Sequence, residues 1–191
     1  MPVPRRMRLR FMVGVVEWIG IDWSWNEAEK SLNRAVELDG NSVEAIHWRG
    51  ILHQIRGRFN EAKADLKRAL ELDPTSANMT SDLGYIYFFA REFDEAEKLL
   101  KTAEMMESNI ANNRLMWLYE LQGRENEALQ AKIQFYCSRL DNENKSKCEE
   151  RFTQSFENGG IKGIAKDNIE FNEESAKTKD LSSDIWYGLA I

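Results

Sequence analysis

The tetrads WNEA at 25–28, FNEA at 59–62, FDEA at 93–96 and ENEA at 125–128 decide the fold. Their alanines, Ala28, Ala62, Ala96 and Ala128, stand 34, 34 and 32 residues apart, a near-constant period with a small deletion near Ser108. A period of this length marks an array of supersecondary units, each touching mainly its neighbours, rather than a globule around one centre. The first three tetrads open helical runs, EAEKSLNRAVELD, EAKADLKRALELD and EAEKLLKTAEMME, with apolar residues at i, i+3, i+4 and i+7 and charges elsewhere. In the second run Ala62, Leu66, Ala69 and Leu70 share one face. Partner helices end at Gly57 and Gly123, where glycine can take the left-handed conformation that closes a helix. Asp39-Gly40-Asn41 and Asp73-Pro74 punctuate the junctions. The unit is therefore helix, tight turn, helix, next turn.

Composition agrees. In 191 residues, 42% are hydrophobic and 30% charged, too apolar for a disordered chain and too charged for a membrane span. The net charge of −6 argues against nucleic acid as a partner, because phosphate neutralisation needs a basic footprint. The opening MPVPRRMRLR, followed by FMVGVV, imitates a signal peptide, but Glu17 interrupts the apolar run and no small-residue cleavage site follows. Residues 1–8 read as a solvated basic lead and the run after them as the first helix. Cys137 and Cys148 lie eleven apart with no CxxC and no histidine cluster, so no metal site is expected. Free thiols in a cytoplasmic protein are the simplest account, although an even count permits a disulfide.

The third unit reads LGYIY at 83–87, then Ala96, Leu100 and Ala103; the second supplies Gly50, Gly57, Phe59, Ala62, Leu66, Ala69 and Pro74. This is similar to the tetratricopeptide repeat, with its Leu-Gly-x-x-Tyr element, paired alanines and closing proline. The resemblance implies an all-α, α-α superhelix: a solenoid of about four helix-turn-helix repeats at 9–42, 43–76, 77–108 and 109–140, followed by a C-terminal capping region. Small residues on both helices of a pair, Gly50 with Ala62 and Gly84 with Ala96, predict close axes. Phe59 and Phe93, and Trp25 in the first unit, read as plugs between a pair and its neighbour. Departures fall mostly at the ends: Val16 and Met116 replace the small glycine, Arg91 the turn glycine, and Gly40 and Ser108 the closing proline. The opening DWSWNEAEKSLNRAVELD also resembles the repeat halves of bacterial regulators, which implies a regulatory or assembly module as the alternative role.

In tetratricopeptide arrays the first helix of each unit lines a concave groove. The resemblance implies that His47, Trp48, Ile51, Gln54 and Ile55 face it from the second unit, Ser81, Asp82, Tyr85, Phe88 and Phe89 from the third, and Asn113, Arg114, Trp117 and Glu120 from the fourth. Such a groove is aromatic with sparse charge, and the Lys and Asn constellation that holds a terminal carboxylate is missing apart from Asn113 and Arg114. A non-catalytic scaffold binding an apolar or aromatic peptide or helix is the expectation, with Asp82, Asn113 and Arg114 lending specificity. A second reading stays open, in which part of Trp48, Phe88, Phe89 and Trp117 is core or is covered by the chain's own tail.

From Asp141 the periodicity weakens, and 141–181 reads as an irregular helical tail broken at Gly159-Gly160, with a short charged helix over 164–177. Residues 182–191 form a capping helix or a truncated fifth repeat, whose Trp186 and Leu189 offer a surface for self-association. Gly160-Ile161-Lys162-Gly163 satisfies GxxG, yet acidic neighbours and missing strands make it a loop. His47 and His53, six apart, fall on different helix faces. No nucleophile, base and orienter share a recognisable spacing, so neither an enzyme nor a cofactor is expected.

Overall fold

The computed structural model describes the backbone of residues 25–178 and the side chains of residues 25–167. The basic lead, most of the expected first helix with Val16, and the terminal segment with Trp186 and Leu189 lie outside them. Eight helices occur among the described residues: α1 Trp25–Leu38, α2 Val43–Ile55, α3 Phe59–Leu72, α4 Ala77–Phe89, α5 Phe93–Met105, α6 Asn109–Leu121, α7 Glu125–Cys137 and α8 Asn142–Thr178. Each of the four tetrads forms the first turn of its helix. The chain divides into two compact units, Met1–Leu99 and Leu100–Ile191, taken separately below.

In the first unit, Ser42 and Ser76 cap α2 and α4 by accepting from the amides of Ala45 and Met79. This satisfies one of the donors that a helix start leaves unpaired. The connections before them are alike, since Asp39 Oδ1 accepts from the Asn41 amide and Asp73 Oδ1 from the Thr75 amide. Ile46, Ala62, Leu66, Ala69, Leu83, Ile86 and Ala96 form the core, with Phe59 packed against it. The close pairing expected of Gly50 is present: a Cβ there would stand 2.1 Å from Leu66 Cδ2 and 3.2 Å from Asp65 Cβ. Trp25, expected as a plug, is 41% exposed.

One turn closes four helices. At Gly57 (φ 73°) the amide of Arg58 donates to the carbonyl of His53, and at Gly123 (φ 70°) that of Arg124 donates to Tyr119. The equivalent bond forms after Arg91 (φ 62°), from the Glu92 amide to Tyr87, and after Glu107 (φ 64°), from the Ser108 amide to Ala103; both residues hold the left-handed conformation without being glycine. Cβ crowding makes that conformation unfavourable by about 1–2 kcal/mol for such residues. Arg91 thus replaces the turn glycine without changing the turn. The 32-residue interval is explained as well: α5 is one residue shorter than α3, and its exit connection through Glu107 is one residue shorter than the Asp-Pro connection.

The second unit corrects two expectations. Cys137 and Cys148 are not free thiols; they form a disulfide with Cα atoms 5.8 Å apart. The chain turns between α7 and α8, bringing two cysteines eleven apart in sequence onto facing helices, where Leu129, Phe152 and Ile164 bury them. The stretch after Asp141 is also more regular than its weak periodicity implies. Helix α8 runs to Thr178 with a break only at Gly159 and Gly160, the latter at φ 62°. Across that break Arg151 Nε donates to Asp167 Oδ2 at 2.7 Å, so the two arms fold back on each other as a hairpin. A Cβ at Gly163 would meet the Ser155 carbonyl oxygen at 2.2 Å. The GxxG segment is therefore the tight start of the second arm rather than an open loop.

Candidate functional site

Helices α2 and α4 bring the predicted groove residues of the first unit together. His47 Nε2 lies 2.7 Å from Asp82 Oδ2, bridging the two helices, with both side chains under one-fifth exposed. The His47 ring stacks on Trp48 at a centroid distance of 5.3 Å. One helical turn beyond Asp82, Tyr85, Phe88 and Phe89 form a contiguous aromatic cluster. Tyr85 meets Phe89 edge-on at 4.7 Å, Phe88 meets Phe89 at 5.5 Å, and Phe93 closes the far side at 6.1 Å from Phe88. Phe89 is 46% exposed and Ile55 51%. Phe88 packs against the core, Tyr85 and Phe93 are half-buried, and Phe89 presents the exposed edge of the cluster.

Not every predicted position faces outward. Trp48 packs against Ala28, Leu32 and Leu52, so most of its surface belongs to the α1–α2 core. Ser81 is fully buried, and Ile51 is half-buried. The Asp82 carboxylate is hydrogen-bonded to His47. In the second unit, α6 carries Asn113 and Arg114, both half-buried, and Trp117, which is 39% exposed. Arg114 and Trp117 each engage further groups of the protein.

A polar cluster that the sequence reading passed over lies beneath the first unit's helices. Arg49 Nε and Nη2 donate to the two Asp65 oxygens at 2.8 and 2.6 Å, a bidentate bond between α2 and α3. His53 Nε2 stands 3.6 Å from the same carboxylate, and Glu29 of α1 pairs with Arg56 and Arg58. The His53 pKa lies below the ordinary 6.5, chiefly because burial disfavours the imidazolium and secondly because Arg58 repels it. The Glu29 pKa is lowered by its hydrogen bond from Arg58. Periodicity places Arg49 and Asp65 on polar stripes. Their one sequence signal is that each adjoins a position of the close contact, Gly50 and Leu66.

Among the described residues, no three or more His, Cys, Asp or Glu side chains are grouped to hold a metal ion. No described helix is long and apolar enough to cross a membrane. What the geometry provides is a series of helical hairpins, which defines a helical-repeat protein. Residues 55–111 match the tetratricopeptide repeat family, and the fold is an all-α, tetratricopeptide-like solenoid. No curated protein sequence matches the chain significantly. Among solved structures, a crystal structure of MamA aligns with a TM-score of 0.57 at 20% identity, over 84% of this chain and 91% of that one. A second MamA crystal structure gives 0.55 at 23% identity over 80% and 85%. Yeast Tom70 gives 0.58 at 18% identity over 82% of this chain but 33% of that one. At these identities the likeness establishes the shared fold.

Proposed function

We propose that the protein is a non-catalytic scaffold that holds an apolar or aromatic peptide, or a short helix, against the α2–α4 face of its first unit. Tetratricopeptide folds serve protein–protein interaction, and the observation that carries the finer reading is the Tyr85–Phe88–Phe89 cluster. Clustered large aromatics with an exposed edge are the residue types that dominate binding energy, because they bury much area with few rotatable bonds. The His47–Asp82 hydrogen bond joins α2 to α4 at that face. Within the second unit, Asn113, Arg114 and Trp117 of α6 form a candidate contact face of its own.

Panning a random peptide library against the full chain tests this reading. Enriched sequences should carry aromatic or aliphatic residues at i, i+3 or i+4 spacing, and Phe89→Asp should abolish their retention while circular dichroism stays unchanged. Enrichment of sequences indifferent to Phe89→Asp and Tyr85→Ala would place the binding face elsewhere.

A further inference from the structure

A furrow of about 680 Å3 opens within the second unit between α5 and α7, with Leu115 and Tyr119 of α6 at its floor. One wall carries Asn126, Gln130 and Gln134 of α7, and the other Lys101 and Glu104 of α5. The three amides recur every four residues, all are exposed, and none forms a hydrogen bond with another described residue. Glu104, half-buried, has no ion pair among the described residues either. The furrow thus concentrates hydrogen-bonding capacity that the fold does not use.

We propose that this furrow binds an extended peptide segment of a protein partner, its main chain laid along the α7 amides and a Lys or Arg side chain set against Glu104. The chemistry selects the occupant. A carboxamide offers a donor and an acceptor together, the complement of a peptide group. A docked helix has already spent its N–H and C=O groups internally, whereas an extended segment has them free. Spacing agrees: four residues of helix advance about 6.0 Å, close to the roughly 6.6 Å between alternate residues of an extended chain. Successive amides of α7 can therefore meet every second peptide group. The mismatch of about 1.2 Å over two steps is within reach of the longer glutamine stems. Glu104 selects a cation because it lies partly out of water with no partner.

The furrow is separate from the aromatic face already assigned. On α6, Trp117 and Tyr119 are two residues, or about 200°, apart around the helix, so the side that carries Trp117 is not the side that floors the furrow. Failure of one site therefore leaves the other standing.

The test uses the full chain and a fluorescein-labelled library of octapeptides with Lys at every second position, followed by an enriched member with and without backbone N-methylation. Binding read by anisotropy should weaken about tenfold with Gln130→Leu and similarly with Glu104→Gln, and N-methylation should remove it. The side-chain NH2 resonances of Asn126, Gln130 and Gln134 should shift on titration in a 1H–15N spectrum. Retention of no library member, equal binding of the N-methylated peptide, or equal binding by Gln130→Leu would each overturn the proposal. Gln130 is exposed and Glu104 half-buried, each on a formed helix, and folding of the variants is checked by an unchanged helical signal.

Discussion

The two units build the same helical hairpin from different chemistry. In the first, helices approach through Gly50 and Ala62, and a charged cluster of Glu29, Arg49, His53, Arg58 and Asp65 ties α1, α2 and α3 together. In the second, Met116 stands where the small residue would be, with Lys132 Nζ 3.2 Å from its sulfur and 2.8 Å from Glu120. There the Cys137–Cys148 bond, with Tyr136 stacked on Phe152 at 5.5 Å, fastens α7 to α8. Where the small-residue contact exists, backbone proximity and paired charges hold the hairpin. Where it is lost, Lys132 pairs with Glu120 across α6 and α7, and the covalent link and aromatic stacking secure the next helix pair, α7 and α8.

That contrast is open to direct attack, beginning with the largest expected effect. Asp65→Ala should destabilise the first unit by about 3 kcal/mol, because it leaves Arg49 and His53 without their shared carboxylate. Urea unfolding followed by Trp fluorescence measures it, and a change under about 0.5 kcal/mol would mean that the cluster is surface decoration. Next, Cys148→Ser should lower the stability of the second unit by about 2–3 kcal/mol, since the short loop closed by the bond no longer constrains the unfolded chain. Hydrogen exchange should show the loss in α7 and α8. Equal loss throughout α2 and α3 would contradict separate fastening of the units.

A smaller effect follows from pH. The folded-state pKa of His53 lies below 6.5, so the neutral imidazole is the folded form. The associated stability is fully present above the unfolded value near 6.5 and is lost as pH falls from there through the folded value. Glu29 contributes in the same direction at lower pH, its stability being lost below about 4.5 as it takes up a proton. The melting temperature should decline between pH 7.5 and 5.5, and His53→Gln should flatten that segment of the profile. A wild-type profile flat across it would remove His53 from the account. The smallest effect is a gain: Arg91→Gly should stabilise the chain by about 1 kcal/mol by relieving a left-handed residue, whereas Gly57→Ala should cost a similar amount.

Much of the first unit was legible in the sequence because its signals are local. Periodicity placed α1, α3 and α5 at their tetrads, Asp39-Gly40-Asn41 and Asp73-Pro74 marked the connections, and Gly50 announced the close contact. His53 was not legible, because a histidine between an apolar Leu52 and a polar Gln54 does not disclose that Asp65, twelve residues on, comes within 3.6 Å of it. The disulfide needed the direction of the chain after Ser138, which two cysteine letters do not contain. The hairpin in α8 was masked because its packing face, Cys148, Phe152, Phe156, Ile161 and Ile164, straddles the break, and because Gly159-Gly160 reads as a break whether the chain reverses there or frays. In the groove, residue types were legible but burial was not: Trp48 turned inward while Phe89 stayed out.

The central claim is that the Tyr85–Phe88–Phe89 face receives an apolar segment. Calorimetric titration of a library-selected peptide into wild type and into Phe89→Ser, both with the same helical content, tests it most directly. The account predicts at least a tenfold rise in Kd for Phe89→Ser; an unchanged Kd would contradict it.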